Sequence, residues 1–363
     1  MKILFVHSSF NDGGITNVLK VYAKNLIKVG HQVDFFLYDK GNNIDNEIFF
    51  KNLGCSLYYS VNPSKHPFKS SQALSKILKI QKYDVVHSCN YFNSGFSMKV
   101  AFNNNVPVRI THSHASKDYH SNLIYKIYTK YMRYCIKKYS TILVACSEKA
   151  GYHLFQTNNF IILENPIESQ KFNFNLSCRN TVRLKYSIPN NAVLLGSVGM
   201  IYDIKNHTYL LDILAKLPNN YMLMIVGDGK LANELKEKAK ILNISNRLII
   251  TGWVSDTSTY YSAFDIFVFP SISEGLPLSL IEAQANGLYC IASNNITHKV
   301  NIKNNIKFLP ITIESQSLWI NEITNFTKSS RENIVVNSLF DAEKATNTLL
   351  NLYKNNLHND FES

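Results

Sequence analysis

Short continuous runs of apolar residues, separated by amphipathic helical stretches and repeated in two successive series, constrain this chain more than any other feature. The first series reads Lys2–Val6, Val33–Leu37, Asp84–His87, Arg109–Thr111 and Thr141–Ala145. The second reads Val193–Val198, Tyr221–Val226, Leu248–Ile250, Ile266–Phe269 and Tyr289–Ala292. Strands without polar alternation are buried on both faces, and intervening helices supply the crossovers that parallel pairing requires. The opening shows the rhythm. A strand leads into an Asp12-Gly13-Gly14 turn, then a helix from Thr16 or Asn17 keeps Val18, Leu19, Tyr22, Ala23, Leu26 and Ile27 on one side until Gly30. Asn165-Pro166 and the polar stretch to Asn191 interrupt the series. The pattern predicts an α/β chain of two doubly wound halves with a boundary near 166, and 363 residues suffice for about two domains.

Charge is uneven along the chain. Lys plus Arg number 38 against 26 acidic residues, and residues 1–170 hold 20 of the bases and 10 of the acids. The basic excess therefore belongs to the first half, where no nucleic-acid module is recognisable. The opening has only four apolar residues in a row, fewer than a signal peptide needs, and no run approaches a membrane-spanning length. Six scattered cysteines without a Cys-x-x-Cys read as free thiols in a reducing compartment. These features predict a soluble cytoplasmic protein.

Residues 265–287 carry the most chemical information. A strand ends at Pro270, a loop holds Glu274-Gly275-Leu276, and a helix is predicted from about Pro277 to Gly287. Proline suits a first helical turn because the N–H it lacks has no partner there. Gly275 admits close approach of a ligand, and the helix N-terminus offers free N–H groups to a diphosphate at the carboxyl end of a strand. Glu274 in the loop and Glu282 on the helix can address sugar and ribose hydroxyls of one extended ligand.

Glu274 and Glu282, set within Pro-Ser-x-x-Glu-Gly-x-Pro, make this segment resemble the Glu-x7-Glu motif of family 4 retaining glycosyltransferases. The likeness is greatest to the bacterial capsular and exopolysaccharide branch. It extends over nearly the whole length, through Gly13-Gly14, the stretch from Pro107 to His114, Glu164-Asn165-Pro166-Ile167, Lys205-Asn206-His207 and Val226-Gly227-Asp228-Gly229. The resemblance implies the GT-B fold, two facing Rossmann-like domains with a C-terminal crossover helix. Residues 1–166 would bind the acceptor, 167–340 the nucleotide sugar, and 341–363 would return to the first domain. One departure stands out. The family's Arg-x4-Lys is represented here by Met200 and Lys205, so one cation of the usual diphosphate pair is absent.

Weaker signals have plainer alternatives. Gly227-x-Gly229-x-x-Ala232 fits a dinucleotide fingerprint, but the strand ending at Ile250 brings no acidic residue, so NAD is set aside and the glycines are assigned with Gly252 and Trp253 to the nucleobase pocket. His112 and His114 fall on one face of a strand. The resemblance places a histidine here near the donor sugar; His114 is preferred, and His112 is an acceptor-side candidate. No further ligands for a metal are apparent and no Asp-x-Asp occurs, so no metal is expected. Leu123–Lys138 has an apolar side, with Leu123, Ile124, Ile127, Tyr128, Tyr131, Met132, Cys135 and Ile136, and a basic side, with Lys126, Lys130, Arg133, Lys137 and Lys138. It is read either as a packed helix with a solvated basic face or as a surface for anionic lipid.

The resemblance thus implies a metal-independent, retaining hexosyltransferase. Its donor is a nucleotide-diphosphate sugar, taken as UDP-linked, and its acceptor a lipid-linked saccharide at the inner face of the membrane. The expected catalytic residues are His114 and Glu274. Gly13, Gly14, Lys205, Gly227, Trp253, Glu274, Gly275, Leu276 and Glu282 are the expected donor contacts, with no cofactor beyond the donor and no nucleic-acid partner. Two other readings stay open: a non-catalytic subunit that holds a nucleotide sugar or a partner enzyme, favoured by Met200, and a sugar-nucleotide epimerase of similar fold.

Overall fold

A computed structural model describes the chain except for residues 12–13, 42, 116–121, 303, 328–330, 332–339 and 358–363. The chain divides into two units, Met1–Ile167 with Leu339–Ser363, and Glu168–Ser338.

The first unit is built on a seven-stranded parallel sheet. Its strands are β1 (Lys2–His7), β2 (Gln32–Leu37), β3 (Leu57–Tyr59), β4 (Val85–Ser88), β5 (Val108–Ser113), β6 (Ile142–Ala145) and β7 (Ile161–Ile162), in the order β3-β2-β1-β4-β5-β6-β7. β1 pairs with β2 on one side and β4 on the other, Ile3 facing Val33 and Val85. The central strands are apolar on both faces because helices cover both: Ile3 and Phe5 join one core cluster, Leu4 and Val6 the other. The helix Ala342–Leu357 packs Leu349, Leu350 and Tyr353 into the first of these clusters, against the helix Gly14–Lys28. A parallel bridge from Ile167 to Asp341 ties the two segments of this unit together.

The second unit repeats the plan with six parallel strands, β8 (Val193–Val198), β9 (Tyr221–Val226), β10 (Leu248–Ile250), β11 (Ile266–Phe269), β12 (Tyr289–Ser293) and β13 (Ile306–Leu309), ordered β10-β9-β8-β11-β12-β13. The expected five strands per half become seven and six. The added β3, β7 and β13 are two to four residues long and lie at sheet edges, where one side is unpaired and continuous apolar sequence is not required. The polar stretch before Asn191 is not merely a linker. Asn175 accepts from the Cys178 N–H and caps a helix, Leu176–Lys185, whose Arg179 and Arg183 clamp the buried Asp265 at the start of β11 (2.8 and 3.2 Å). Six free cysteines are present, five of them buried.

In both sheets the order reverses between the first strand and the fourth, β1/β4 and β8/β11. Open α/β sheets bind ligands at such switch points, beyond the carboxyl ends of the strands.

Candidate active site

At the β8/β11 switch point two loops carry residues 69 positions apart into contact. After β8 the chain turns at Gly199 and runs through Met200 to a short 3₁₀ turn, Asp203–Lys205. Beyond β11 the loop Pro270–Pro277 leads into the helix Leu278–Ala285. The Ile272 N–H donates to the Ile204 carbonyl (2.8 Å) and the Asn206 side chain to the Pro270 carbonyl (3.4 Å), so each loop fixes the other. Lys205 Nζ then lies 2.8 Å from Glu274 Oε1, both side chains 19% exposed, with Ser271 Oγ donating to the same carboxylate oxygen (3.2 Å). The Lys205 ammonium also sits 4.8 Å from the centre of the Phe269 ring. A half-buried cation is held in place by an acid, a ring and a rigid loop.

Met200 projects into solvent, 55% exposed. Lys230, following the β9 loop, is engaged by Asp203 (2.6 Å), with both side chains largely exposed. The helix expected from Pro277 starts one residue later. Pro277 has ψ 98° and is the residue before the first turn, with no side-chain cap over the helix N–H groups. Gly275 is exposed and Leu276 half-buried in the loop. Glu282 lies one turn further on and accepts from Tyr261 Oη at 2.5 Å. Burial raises the Glu282 pKa, while the tyrosine hydrogen bond and the more distant Lys171 charge draw it back. Tyr261 is fully buried in the core, so it anchors the carboxylate it donates to.

Gly227 has a structural reason of its own. Its φ is +149°, and a Cβ there would overlap the carbonyl of Gly199; the Ile201 N–H donates to the Asp228 carbonyl (2.8 Å). The glycines after β9 thus let two loops approach backbone to backbone. Trp253, beyond β10, is half exposed, and Gly227 bridges to Gly252 beside it.

The first unit gathers four histidines, His7, His87, His112 and His114, toward the carboxyl ends of β1, β4 and β5. The His112 and His114 rings lie 4.0 Å apart on one face, but their surroundings differ. His112 is 1% exposed. His87 Nε2 lies 3.2 Å from His112 Nδ1, and His87 Nδ1 lies 2.7 Å from the Tyr353 hydroxyl of the terminal helix. His112 is thus enclosed by the sheet and joined through Nδ1 to a chain of buried polar groups, while its buried Nε2 has no hydrogen-bond partner among the described residues. His114, at the end of β5, is half-buried and places Nδ1 3.1 Å from Asn165 Oδ1. His7 Nδ1 lies 3.1 Å from the Cys89 carbonyl. Burial lowers all four, His7 to about 4 and His87 and His114 to about 3, with His112 well below the usual 6.5; they are neutral at pH 7.

His87, Cys89 and His112 bring potential metal-ligand atoms within 4.8 Å of one another, a grouping that the linear sequence hid. The imidazoles already bond to each other and to Tyr353, and burial raises the Cys89 thiol pKa, so the group serves as core polar packing. Gly13 lies outside the described residues, and Gly14 is the exposed first residue of its helix. Sequence reading missed Tyr261, Ser271, His87 and Tyr353. Tyr261, His87 and Tyr353 are common residues whose roles come from partners distant in the chain, and Ser271 is a common residue within the loop itself.

Comparison with known proteins agrees with this geometry. Residues 179–334 match the family model described as "Glycosyl transferases group 1", and residues 12–160 match "Glycosyltransferase Family 4". The chain is 30% identical to the putative glycosyltransferase EpsF of Bacillus subtilis, over 97% of this chain and 96% of that protein. It is 27% identical to an Escherichia coli enzyme named UDP-Gal:alpha-D-GlcNAc-diphosphoundecaprenol alpha-1,3-galactosyltransferase, over 74% of this chain and 72% of that one. Among solved structures, Anabaena Alr3699/HepE in complex with UDP superposes with a TM-score of 0.81 at 17% identity, covering 98% of this chain and 100% of that one, and gives the fold as GT-B. With a parallel sheet in each unit, an acid–cation pair at the switch point of the second, and this full-length likeness, the chain belongs to the family 4 glycosyltransferases.

Proposed function

We propose that this glycosyltransferase moves a hexosyl unit from a UDP-sugar to a lipid-linked saccharide in surface-polysaccharide synthesis, with retention of anomeric configuration and with neither metal nor cofactor. The observation that carries the reading is the Lys205–Glu274 pair beside the uncapped N-terminus of the helix Leu278–Ala285. Lys205 and the helix N–H groups would take the diphosphate, a charge-assisted arrangement that needs no cation from solution. Glu274, released from Lys205 by the phosphate, would accept from sugar hydroxyls. Glu282 would accept from the ribose, with Trp253, Gly227, Gly275 and Leu276 around the nucleotide and His114 toward the sugar. The first unit would bind the acceptor. The UDP-bound structural relative and the relative named for a diphosphoundecaprenol acceptor support the choice of donor and acceptor.

The membrane side rests on the helix Leu123–Tyr139. Its apolar side divides along its length. Met132, Cys135 and Ile136 are buried as expected, whereas Leu123, Ile124 and Ile127 are 71%, 80% and 65% exposed. Among the expected surface cations, Arg133 is a correction. It donates to the Leu154 and His153 carbonyls and stacks on Phe92, so it is bound to the fold. Lys126 and Lys130 remain exposed beside the uncovered apolar turn, a pairing suited to an anionic bilayer. Among the described residues no helix is long and apolar enough to cross a membrane.

Incubation of the protein with UDP-sugars and a lipid-diphosphate saccharide, with NMR of the product's anomeric centre, tests the reaction. Product of retained configuration, formed undiminished in EDTA, is expected; inverted product or metal-dependent transfer refutes the mechanism. The exposed Met200 favours a second reading, binding without turnover, and UDP affinity without any product would select it. On anionic vesicles, K126E/K130E should lose about 1 kcal/mol of binding per reversed lysine. Unchanged sedimentation of the folded variant would remove this helix from the membrane.

A further inference from the structure

Met200 leaves the second unit one cation short of the usual pair, yet the backbone brings another lysine to the same corner. The loop after β9 reads Gly227-Asp228-Gly229-Lys230-Leu231. It lies directly on Ile201, the residue after Met200. The Ile201 N–H donates to the Asp228 carbonyl (2.8 Å), and the Leu231 N–H donates to the Ile201 carbonyl (3.3 Å). Gly229 makes the approach possible, because a Cβ there would stand 2.4 Å from the Ile201 carbonyl oxygen. Gly199, the residue before Met200, lies under the other lysine; a Cβ on it would be 3.5 Å from Lys205 Nζ. Met200 is thus flanked by the residues on which Lys205 and the Lys230 loop rest. Lys230 Nζ reaches Asp203 (2.6 Å), the first residue of the 3₁₀ turn that ends in Lys205. All of these residues belong to the second unit.

We propose that Lys230 is the second cation of the donor diphosphate site, serving in place of the arginine that Met200 replaces. This rests on the reading that Lys205 meets the diphosphate. The chemistry favours the exchange of partners. With side chains 62% and 73% exposed, the Lys230–Asp203 pair is screened and weak, so little holds the ammonium against a ligand of higher charge. A lysine is a point charge on a flexible stem, so it turns from carboxylate to phosphate while its backbone stays fixed on Ile201. Each cation rests on an acid, Lys205 on Glu274 and Lys230 on Asp203, until a diphosphate offers more negative charge to both.

Calorimetry of UDP binding to a small set of variants is the test. Lys230→Ala should weaken binding by about fivefold or more, whereas Lys230→Arg keeps the charge and should stay within about twofold of the parent. An arginine variant as weak as the alanine one overturns the proposal. Asp203→Asn breaks the same ion pair without removing the cation and should bind UDP at least as well as the parent. A loss there equal to that of Lys230→Ala shows that the pair merely braces the loop, and overturns it too. Met200→Arg should change the parental affinity by about twofold or less, yet recover most of the loss in the Lys230→Ala background. Residues that share one role are coupled, so the same factor in both backgrounds refutes the sharing. Parental affinity in Lys230→Ala beside a weakened Lys205→Ala overturns the proposal and leaves the Lys205 reading standing. Parental affinity in both removes the diphosphate from this corner, and the proposal falls with the reading beneath it.

Discussion

Acidification should unfold the first unit before the second. His7, His87, His112 and His114 are in the first unit, and burial is the leading cause of the lowered pKa of each. The second unit has His207, lowered to about 3 by burial and then by the nearby Lys205 charge. Each ring takes a proton near pH 6.5 in the unfolded chain but at about 4 or below in the fold. Between those values the unfolded state holds more protons, so stability rises with pH. The contribution is complete above 6.5 and drains as the pH falls toward the folded value. From about pH 7 to about pH 5 each such histidine removes roughly 2 kcal/mol. Four remove roughly 7 kcal/mol, comparable with the whole stability of an ordinary domain, about 5–15 kcal/mol. The second unit should lose only about 2 kcal/mol. Few carboxylates titrate in this window, so the difference reads the histidines. Both tryptophans, Trp253 and Trp319, lie in the second unit, whereas far-ultraviolet circular dichroism sees both. In urea titrations at successive pH values, the first loss of ellipticity should move to lower urea well ahead of the tryptophan transition. Equal stability at pH 7 and pH 5, or coincident transitions throughout, would refute the reasoning.

Five substitutions test the second unit. Lys205→Ala should weaken UDP binding by about 1.5–3 kcal/mol in calorimetry, whereas Met200→Arg, at an exposed and therefore screened position, should strengthen it by no more than about 1 kcal/mol. An unchanged dissociation constant for Lys205→Ala would mean that the diphosphate lies elsewhere. Glu282→Ala should weaken UDP binding by about 1–3 kcal/mol, and Tyr261→Phe, which removes only the donor holding that carboxylate, by less; the reverse ranking would contradict the ribose assignment. Gly227→Ala, forced against the Gly199 carbonyl at positive φ, should cost the second unit about 1–3 kcal/mol or more, read as a lower midpoint in tryptophan-detected melting; a parental midpoint would show that the loops can separate.

The sequence by itself was enough for the fold class, because a strand buried on both faces must be apolar throughout. Of ten such runs, from Lys2–Val6 to Tyr289–Ala292, nine mark the sheet interiors and one, Leu248–Ile250, is the edge strand β10. Glu274, Gly275, Pro277 and Glu282 were legible for a related reason: strand, loop and helix N-terminus are consecutive, so their relation is local. The edge strands β3, β7 and β13 escaped because half-exposed backbone imposes no such composition, and β7 reduces to Ile161 and Ile162. The helix Leu123–Tyr139 shows the limit of periodicity. Spacing identifies an apolar side, but only the neighbouring elements determine that Met132 is covered while Ile124 is not, or that Arg133 is spent on the His153 and Leu154 carbonyls. The same holds for the two histidines of β5. Alternation puts His112 and His114 on one face, but what separates them comes from elsewhere: Tyr353 of the terminal helix, through His87, closes one into the core, and Asn165 orients the other. Lys205 and Glu274 likewise become a pair only because parallel pairing sets β8 beside β11. Local sequence specifies what each segment can be, whereas contacts between distant segments depend on strand order, which no short stretch of the chain encodes.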